Sequence, residues 1–97
     1  MEKNPALICS LGVFAYNEAD NIIPLLDSLC NQNLKQASIA EIIVVSSAST
    51  DGTDELVENY TSRDPRVRLI RQARREGKSS AINLFIAEAK SPILIVI

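Results

Sequence analysis

Four short apolar runs recur along the chain, separated by segments whose apolar residues fall at helical spacing, and this alternation limits the folds available. Ala6 to Ala15 and Glu41 to Ser46 are rich in Leu, Ile, Val and Phe and read as buried strands. Arg66 to Arg71 alternates charged and apolar residues, which predicts a shorter strand near a sheet edge, where its charges reach water. Pro92 to Ile97 is a fourth, uninterrupted apolar strand. Between them, Ile22, Leu25, Leu26 and Leu29 recur at helical spacing after a cap at Asp20 or Asn21, with Pro24 in the first turn, where a missing N–H costs little. A second helix is predicted near Asp54 to Tyr60. A third covers Lys78 to Ala89, with Ile82, Phe85, Ile86 and Ala89 on its inward face. The order βαβαβαβ, with near-continuous hydrophobic strands, predicts an α/β fold: one parallel sheet with helices on both faces.

Composition narrows the class. Among 97 residues, 46% are hydrophobic and 23% charged, with three Gly and four Pro, which is globular and neither disordered nor fibrous. A chain of this length buries roughly two-thirds of its unfolded surface, enough for one modest core. The net charge of -2 argues against nucleic acid as a partner. No apolar run approaches the roughly 20 residues that span a bilayer, and the start, Met-Glu-Lys-Asn-Pro, does not resemble a secretory signal. Cys9 and Cys30 have no CxxC spacing and there is no histidine, so two reduced thiols of a cytoplasmic protein are expected, with neither a zinc site nor a Cys–His nucleophile.

In open parallel sheets, ligands bind beyond the carboxyl ends of the strands. Two polar loops leave such ends, Ala15 to Asp20 and Ser46 to Thr53, and both feed helix N-termini, which attract phosphate. Their Asn, Asp, Ser and Thr residues also suit caps and turns, and composition alone leaves both roles open. Neither loop matches a P-loop or a GxGxxG fingerprint.

Four blocks taken together are more specific: Phe14-Ala15-Tyr16-Asn17-Glu18, Ile43-Val44-Val45-Ser46-Ser47-Ala48-Ser49-Thr50-Asp51-Gly52-Thr53, Asp64-Pro65-Arg66-Val67-Arg68 and Gly77-Lys78-Ser79-Ser80-Ala81-Ile82-Asn83. In order and spacing they resemble family 2 glycosyltransferases of the GT-A fold, over nearly the whole chain. Gly-x-Ser-Ser-Ala and Tyr-Asn-Glu are also similar to the dolichyl-phosphate mannosyltransferase branch. The resemblance implies an inverting glycosyltransferase, with a nucleotide-diphosphate sugar as donor and a sugar or lipid phosphate as acceptor. It implies substrate-binding roles for Phe14, Tyr16, Glu18, Val45, Ser47, Arg75 and Lys78. Tyr16 would stack on the base, and Arg75 and Lys78 would offset diphosphate charge. Phe14 departs from the family, where many relatives have proline, and would wall the base pocket. Glu18 would face the nucleotide, or else serve as a first-turn acid at its helix. Asp51 is expected to cap the second helix. The other arginines, Arg63 among them, belong to a solvated edge.

The sequence departs from the family's pattern in the second loop. Ser46 and Ser47 stand where two aspartates are common, and Ala48 stands where glycine is usual. A hydroxyl still forms hydrogen bonds but brings no charge. The family's metal motif follows the fourth strand, so Mg or Mn is expected in a complete enzyme, with no ligand motif or catalytic base within these residues. A chain ending in a core strand reads as the front portion, residues 1–97, of a longer domain. By itself it is expected to be inactive and to self-associate through its last strand; a membrane-anchored region further along the parent protein stays open. Two rivals remain: a sugar-phosphate nucleotidyltransferase, whose glycine-rich first loop Tyr16-Asn17-Glu18 does not resemble, and a degenerate, non-catalytic nucleotide-binding or interaction module.

Overall fold

The computed structural model describes residues 7–32 and 37–97. Its elements are β1 (Leu7–Ala15), α1 (Ile22–Cys30), β2 (Ala37–Ser47), α2 (Thr53–Arg63), β3 (Val67–Gln72), α3 (Lys78–Glu88) and β4 (Ile93–Val96). The strands form one sheet in the order β3-β2-β1-β4, and every neighbouring pair is parallel. Chain order therefore reverses at β1, between β2 and β4.

The central strands are apolar on both faces because both are covered. Leu11, Val13 and Ala15 of β1 and Ile42 and Val44 of β2 point to one side. There they pack with Ile22, Leu26 and Leu29 of α1 and Val57 and Tyr60 of α2. The alternate residues of β2, Ile43 and Val45, pack on the other side against Ala81 and Phe85 of α3. On β1 that second face carries Gly12 and Phe14. A Cβ at Gly12 would sit 2.8 Å from the Phe85 ring, so glycine is what lets α3 lie this close. Phe14 meets Phe85 edge-on, with centroids 6.1 Å apart.

Several sequence-based boundaries shift. Ala6 lies outside the described residues. β2 begins at Ala37, ahead of the β-branched run, because Leu7 to Cys9 offer partners to Ala37 to Ile39. A register shift follows: Cys9 opposes Ile39 and Ser10 opposes Glu41, leaving Ala40 as the extra residue of a bulge. The bulge keeps Ile39 and Ile42 on one face and turns Glu41 to the other. α2 runs on to Arg63. The inward face of α3 is Ala81 and Phe85, with Leu84 and Ala89 partly buried, whereas Ile86 is exposed and off the predicted face. β3 is an edge strand as expected. β4 is the other edge and is not buried: Leu94, Ile95 and Val96 are 39–47% exposed, since no described helix covers them. Cys9 and Cys30 are free thiols.

Glu41 is buried, and sequence patterning alone missed its role. Its Oε2 accepts from Ser10 Oγ at 2.6 Å and from the Lys90 amide at 2.7 Å, while Oε1 accepts from Arg68 at 3.1 Å. Ser10 Oγ in turn accepts the Ser91 amide at 3.3 Å. One carboxylate thus ties the α3–β4 connection to β1 and β3. Burial pushes the Glu41 carboxyl up, but the hydrogen bonds from Ser10, Lys90 and Arg68 outweigh it and hold the group below its ordinary value. A carboxyl whose pKa is lowered by folding stabilises at neutral pH, and that contribution is lost as pH falls through the folded value. Glu41→Ala orphans the buried Ser10 hydroxyl and the part-buried Lys90 amide and should lower stability by about 1–3 kcal/mol. Urea denaturation should show this loss at neutral pH and a smaller difference from the parent below the carboxylate's ordinary value near 4.5.

Candidate functional site

The carboxyl ends of β1 and β2 and the start of α3 enclose a cleft of about 360 Å³. Phe14, Tyr16, Glu18, Ser47, Arg75 and Lys78 line it together with Ala15, Gly77 and Ala81. Residues from three separate sequence blocks therefore converge. Val45 is not among them: it is fully buried beneath the cleft against Phe85, so its side chain supports the floor without reaching the space above. A neighbouring hollow of about 320 Å³ shares Phe14, Ala15 and Glu18 but has no cation in its lining.

The first two loops are held to each other by side chains. The Asn17 amide donates to Ser49 Oγ at 3.0 Å, and the Thr50 amide donates to Asn17 Oδ1 at 2.7 Å. The Glu18 amide donates to Thr53 Oγ1 at 2.9 Å, and the Ala19 amide to Asp51 Oδ2 at 3.1 Å. Asp51 Oδ1 also accepts the Thr53 amide and hydroxyl. Asp51 therefore serves the start of α2, as expected, and reaches across to the β1–α1 loop as well, although the capping position itself is Gly52. The hydrogen bond from the Thr53 hydroxyl helps hold its carboxyl below the usual range. α1 starts after Asn21, whose side chain makes no cap; the Glu18 carbonyl accepts the first free amides instead.

Two non-glycine residues here have left-handed backbones, Asn17 at φ 52° and Ala48 at φ 57°. Asparagine tolerates that region, whereas alanine is strained in it. The family's usual glycine at the Ala48 position has this physical basis. Gly77, at φ 90° and ψ 163°, occupies a conformation nearly restricted to glycine and turns the chain into α3. That turn sets Lys78 and the helix's unpaired N–H groups beside the cleft, which favours an anion there.

The two serines of the second loop have different tasks. Ser46 is buried and its hydroxyl bonds to Ser49 Oγ at 2.8 Å, so it steadies the loop. Ser47, the last residue of β2 and not a loop residue, borders the cleft. Its hydroxyl lies 2.6 Å from Gln72 Oε1. Gln72, its register partner on β3, escaped the sequence analysis because that strand was expected to end at Arg71. Tyr16 is 40% exposed, and the Arg75 guanidinium lies 3.9 Å from its ring centroid. Arg75 has no ion pair among the described residues, whereas Arg63, Arg66, Arg68, Arg71 and Arg74 are each paired with carboxylates.

Among the described residues, no three His, Cys, Asp or Glu side chains stand together to hold a metal ion, and Glu18 is the sole carboxylate lining the cleft. These residues do not form a site for the metal the family implies. No helix among them is long and apolar enough to cross a membrane.

A parallel sheet with a polar cleft at its carboxyl ends is the arrangement in which open α/β domains bind their ligands. The family model described as Glycosyl transferase family 2 matches residues 10–97, and the chain belongs to that family. It is 33% identical over 88 residues to a dolichyl-phosphate beta-glucosyltransferase of Trichomonas vaginalis, covering 86% of this chain and 26% of the relative. It is 40% identical over 83 residues to the uncharacterized glycosyltransferase EpsJ of Bacillus subtilis, covering 86% of this chain and 23% of the relative. Among solved structures, it is similar to a mannosyltransferase of Pyrobaculum calidifontis in complex with GDP-Man and Mn2+. That likeness has a TM-score of 0.79 and 33% identity, over 89% of this chain and 25% of the other. The chain thus spans about a quarter of the length of the curated relatives it matches.

Proposed function

We propose that this chain is the donor-binding part of an inverting glycosyltransferase, and that its cleft holds a nucleotide-diphosphate sugar. The observation that carries this is the convergence of Tyr16, Ser47, Arg75 and Lys78 in one cleft. A planar ring, a neutral hydrogen-bonding group and two cations match a base and a diphosphate in turn. The base stacks on Tyr16, which accepts any flat ring, and Ser47 bonds to its edge. The diphosphate lies toward Lys78 and the α3 N-terminus, where Arg75 adds a second charge on leaving Tyr16. Base and guanidinium compete for that ring face, so donor entry displaces Arg75 toward the phosphates. The P. calidifontis mannosyltransferase, with GDP-Man and Mn2+, supports a donor of this kind.

In the complete protein, the acceptor is a sugar hydroxyl or a lipid phosphate, deprotonated for attack on the anomeric carbon. Mg or Mn would stabilise the departing diphosphate when bound. The residues described here hold neither that metal nor the base, so their part is to bind, orient and neutralise the donor. A non-catalytic nucleotide-binding module would use the same cleft, and the loss of acidic side chains at Ser46 and Ser47 keeps that alternative in view.

Calorimetric titration of nucleoside diphosphates tests the donor site. Tyr16→Ala should weaken binding by about 1–3 kcal/mol, roughly 5- to 150-fold. Ser47→Asp should tighten a uridine nucleotide by offering its base N–H a charged acceptor. Arg63→Ala should change nothing, since that side chain pairs with Asp27 and stacks on Tyr60, helix residues outside the cleft lining. Full affinity in Tyr16→Ala together with lost affinity in Arg63→Ala would place the ligand elsewhere.

Self-association through β4 is part of the same proposal. Leu94, Ile95 and Val96 form an exposed apolar edge, and an unpaired edge strand invites pairing. Light scattering should show a mass that rises with concentration; a strict monomer at high concentration contradicts it.

A further inference from the structure

Beside the cleft runs a chain of four side chains whose hydrogen-bond direction is fixed from its far end. Ser47 Oγ lies 2.6 Å from Gln72 Oε1, Gln72 Nε2 lies 3.2 Å from Ser80 Oγ, and Ser80 Oγ lies 3.1 Å from Glu76 Oε1. The ionised Glu76 carboxylate only accepts, so the Ser80 hydroxyl proton is committed to it. Ser80 can then only accept from Gln72, which sets the Gln72 amide nitrogen toward Ser80 and its oxygen toward Ser47. An amide oxygen also only accepts, so Ser47 donates its single proton to Gln72. Gln72 is buried, and its backbone is fixed opposite Ser47 in the β2–β3 ladder. At the cleft, Ser47 is left with oxygen lone pairs and no proton.

We infer that Glu76, Ser80 and Gln72 are positioning residues that make Ser47 an acceptor-only group, and so select a nucleotide base that offers a ring N–H. This rests on the donor-site proposal above. Uracil and guanine carry such a hydrogen on the ring nitrogen of their pairing edge, whereas cytosine and adenine carry a lone pair there. A lone pair facing Ser47 meets another lone pair, and both groups stay unsatisfied. The selectivity of the cleft is therefore set by residues that line none of it.

The direction of the chain can be released from its exposed end without touching the cleft. The amide of Glu76→Gln can present either its oxygen or its nitrogen to Ser80, so it no longer commits the Ser80 proton. With the nitrogen toward Ser80, Ser80 donates to a flipped Gln72 and Gln72 donates to Ser47, freeing the Ser47 proton for the ligand. Gln72→Leu frees the same proton directly. The experiment is calorimetric titration of uridine diphosphate and cytidine diphosphate into the parent chain and both variants. The parent should prefer uridine diphosphate by roughly tenfold, the scale of one hydrogen bond made or left unmade. In Glu76→Gln the preference should fall severalfold, chiefly through tighter cytidine diphosphate, and Gln72→Leu should move it the same way. Folded variants that keep the parent's preference overturn the inference, as does a parent that binds both nucleotides equally through Tyr16. A parent that binds neither overturns the donor-site proposal itself, and the inference falls with it.

Discussion

The burial of β2 on both of its faces is the constraint from which the rest of this structure follows. Ile42, Ile43, Val44 and Val45 have no exposed surface, and successive residues belong to opposite layers of the core. A strand with no polar face must lie inside a sheet with helices on both sides. Covering it demands α1 and α2 on one face and α3 on the other. β1, buried next to it, accepts α3 only because Gly12 leaves room for Phe85. Past Val45 the strand turns polar: Ser46, still buried, bonds to Ser49, and Ser47 borders the cleft at the carboxyl end of the sheet.

What forms there is a site assembled by loops that brace one another. The β1–α1 and β2–α2 loops are joined through Asn17, Ser49, Asp51 and Thr53, with two backbones held in the left-handed region. Such bracing fixes Tyr16 and Ser47 relative to each other before any ligand arrives, which reduces the ordering cost of binding. Arg75 differs from the other arginines. Free of ion pairs among the described residues, it rests on an aromatic face that a base would take, and so remains available to an anion.

The order of elements along the chain, the parallel sheet and the edge position of β3 were legible in the apolar pattern, and the family resemblance pointed to Tyr16, Ser47, Arg75 and Lys78, which line one cleft. β4, as apolar as β2, is exposed as expected of the last strand, because burial depends on what covers a strand and not on its composition. Other features were not legible, each for a physical reason. The early start of β2 depends on pairing with β1 and not on the propensity of Ala37 or Ser38. The inward turn of Glu41 depends on a bulge at Ala40, which no period-2 pattern reveals. Val45 shares a motif and a strand face with Ser47 but lies two residues deeper, where α3 buries it. Gln72 becomes relevant only when β3 is seen in register with Ser47.

The central claim is that the cleft at the ends of β1 and β2 is where a nucleotide sits. Mapping amide chemical shifts of the chain during titration with uridine diphosphate tests it most directly. The account predicts that the largest saturable shifts fall on Tyr16, Glu18, Ser47, Gly77 and Lys78, the cleft and its immediate backbone. It is contradicted if they fall instead on Cys9, Leu29, Ile39 and Ile95, which line the apolar hollow on the β4 side.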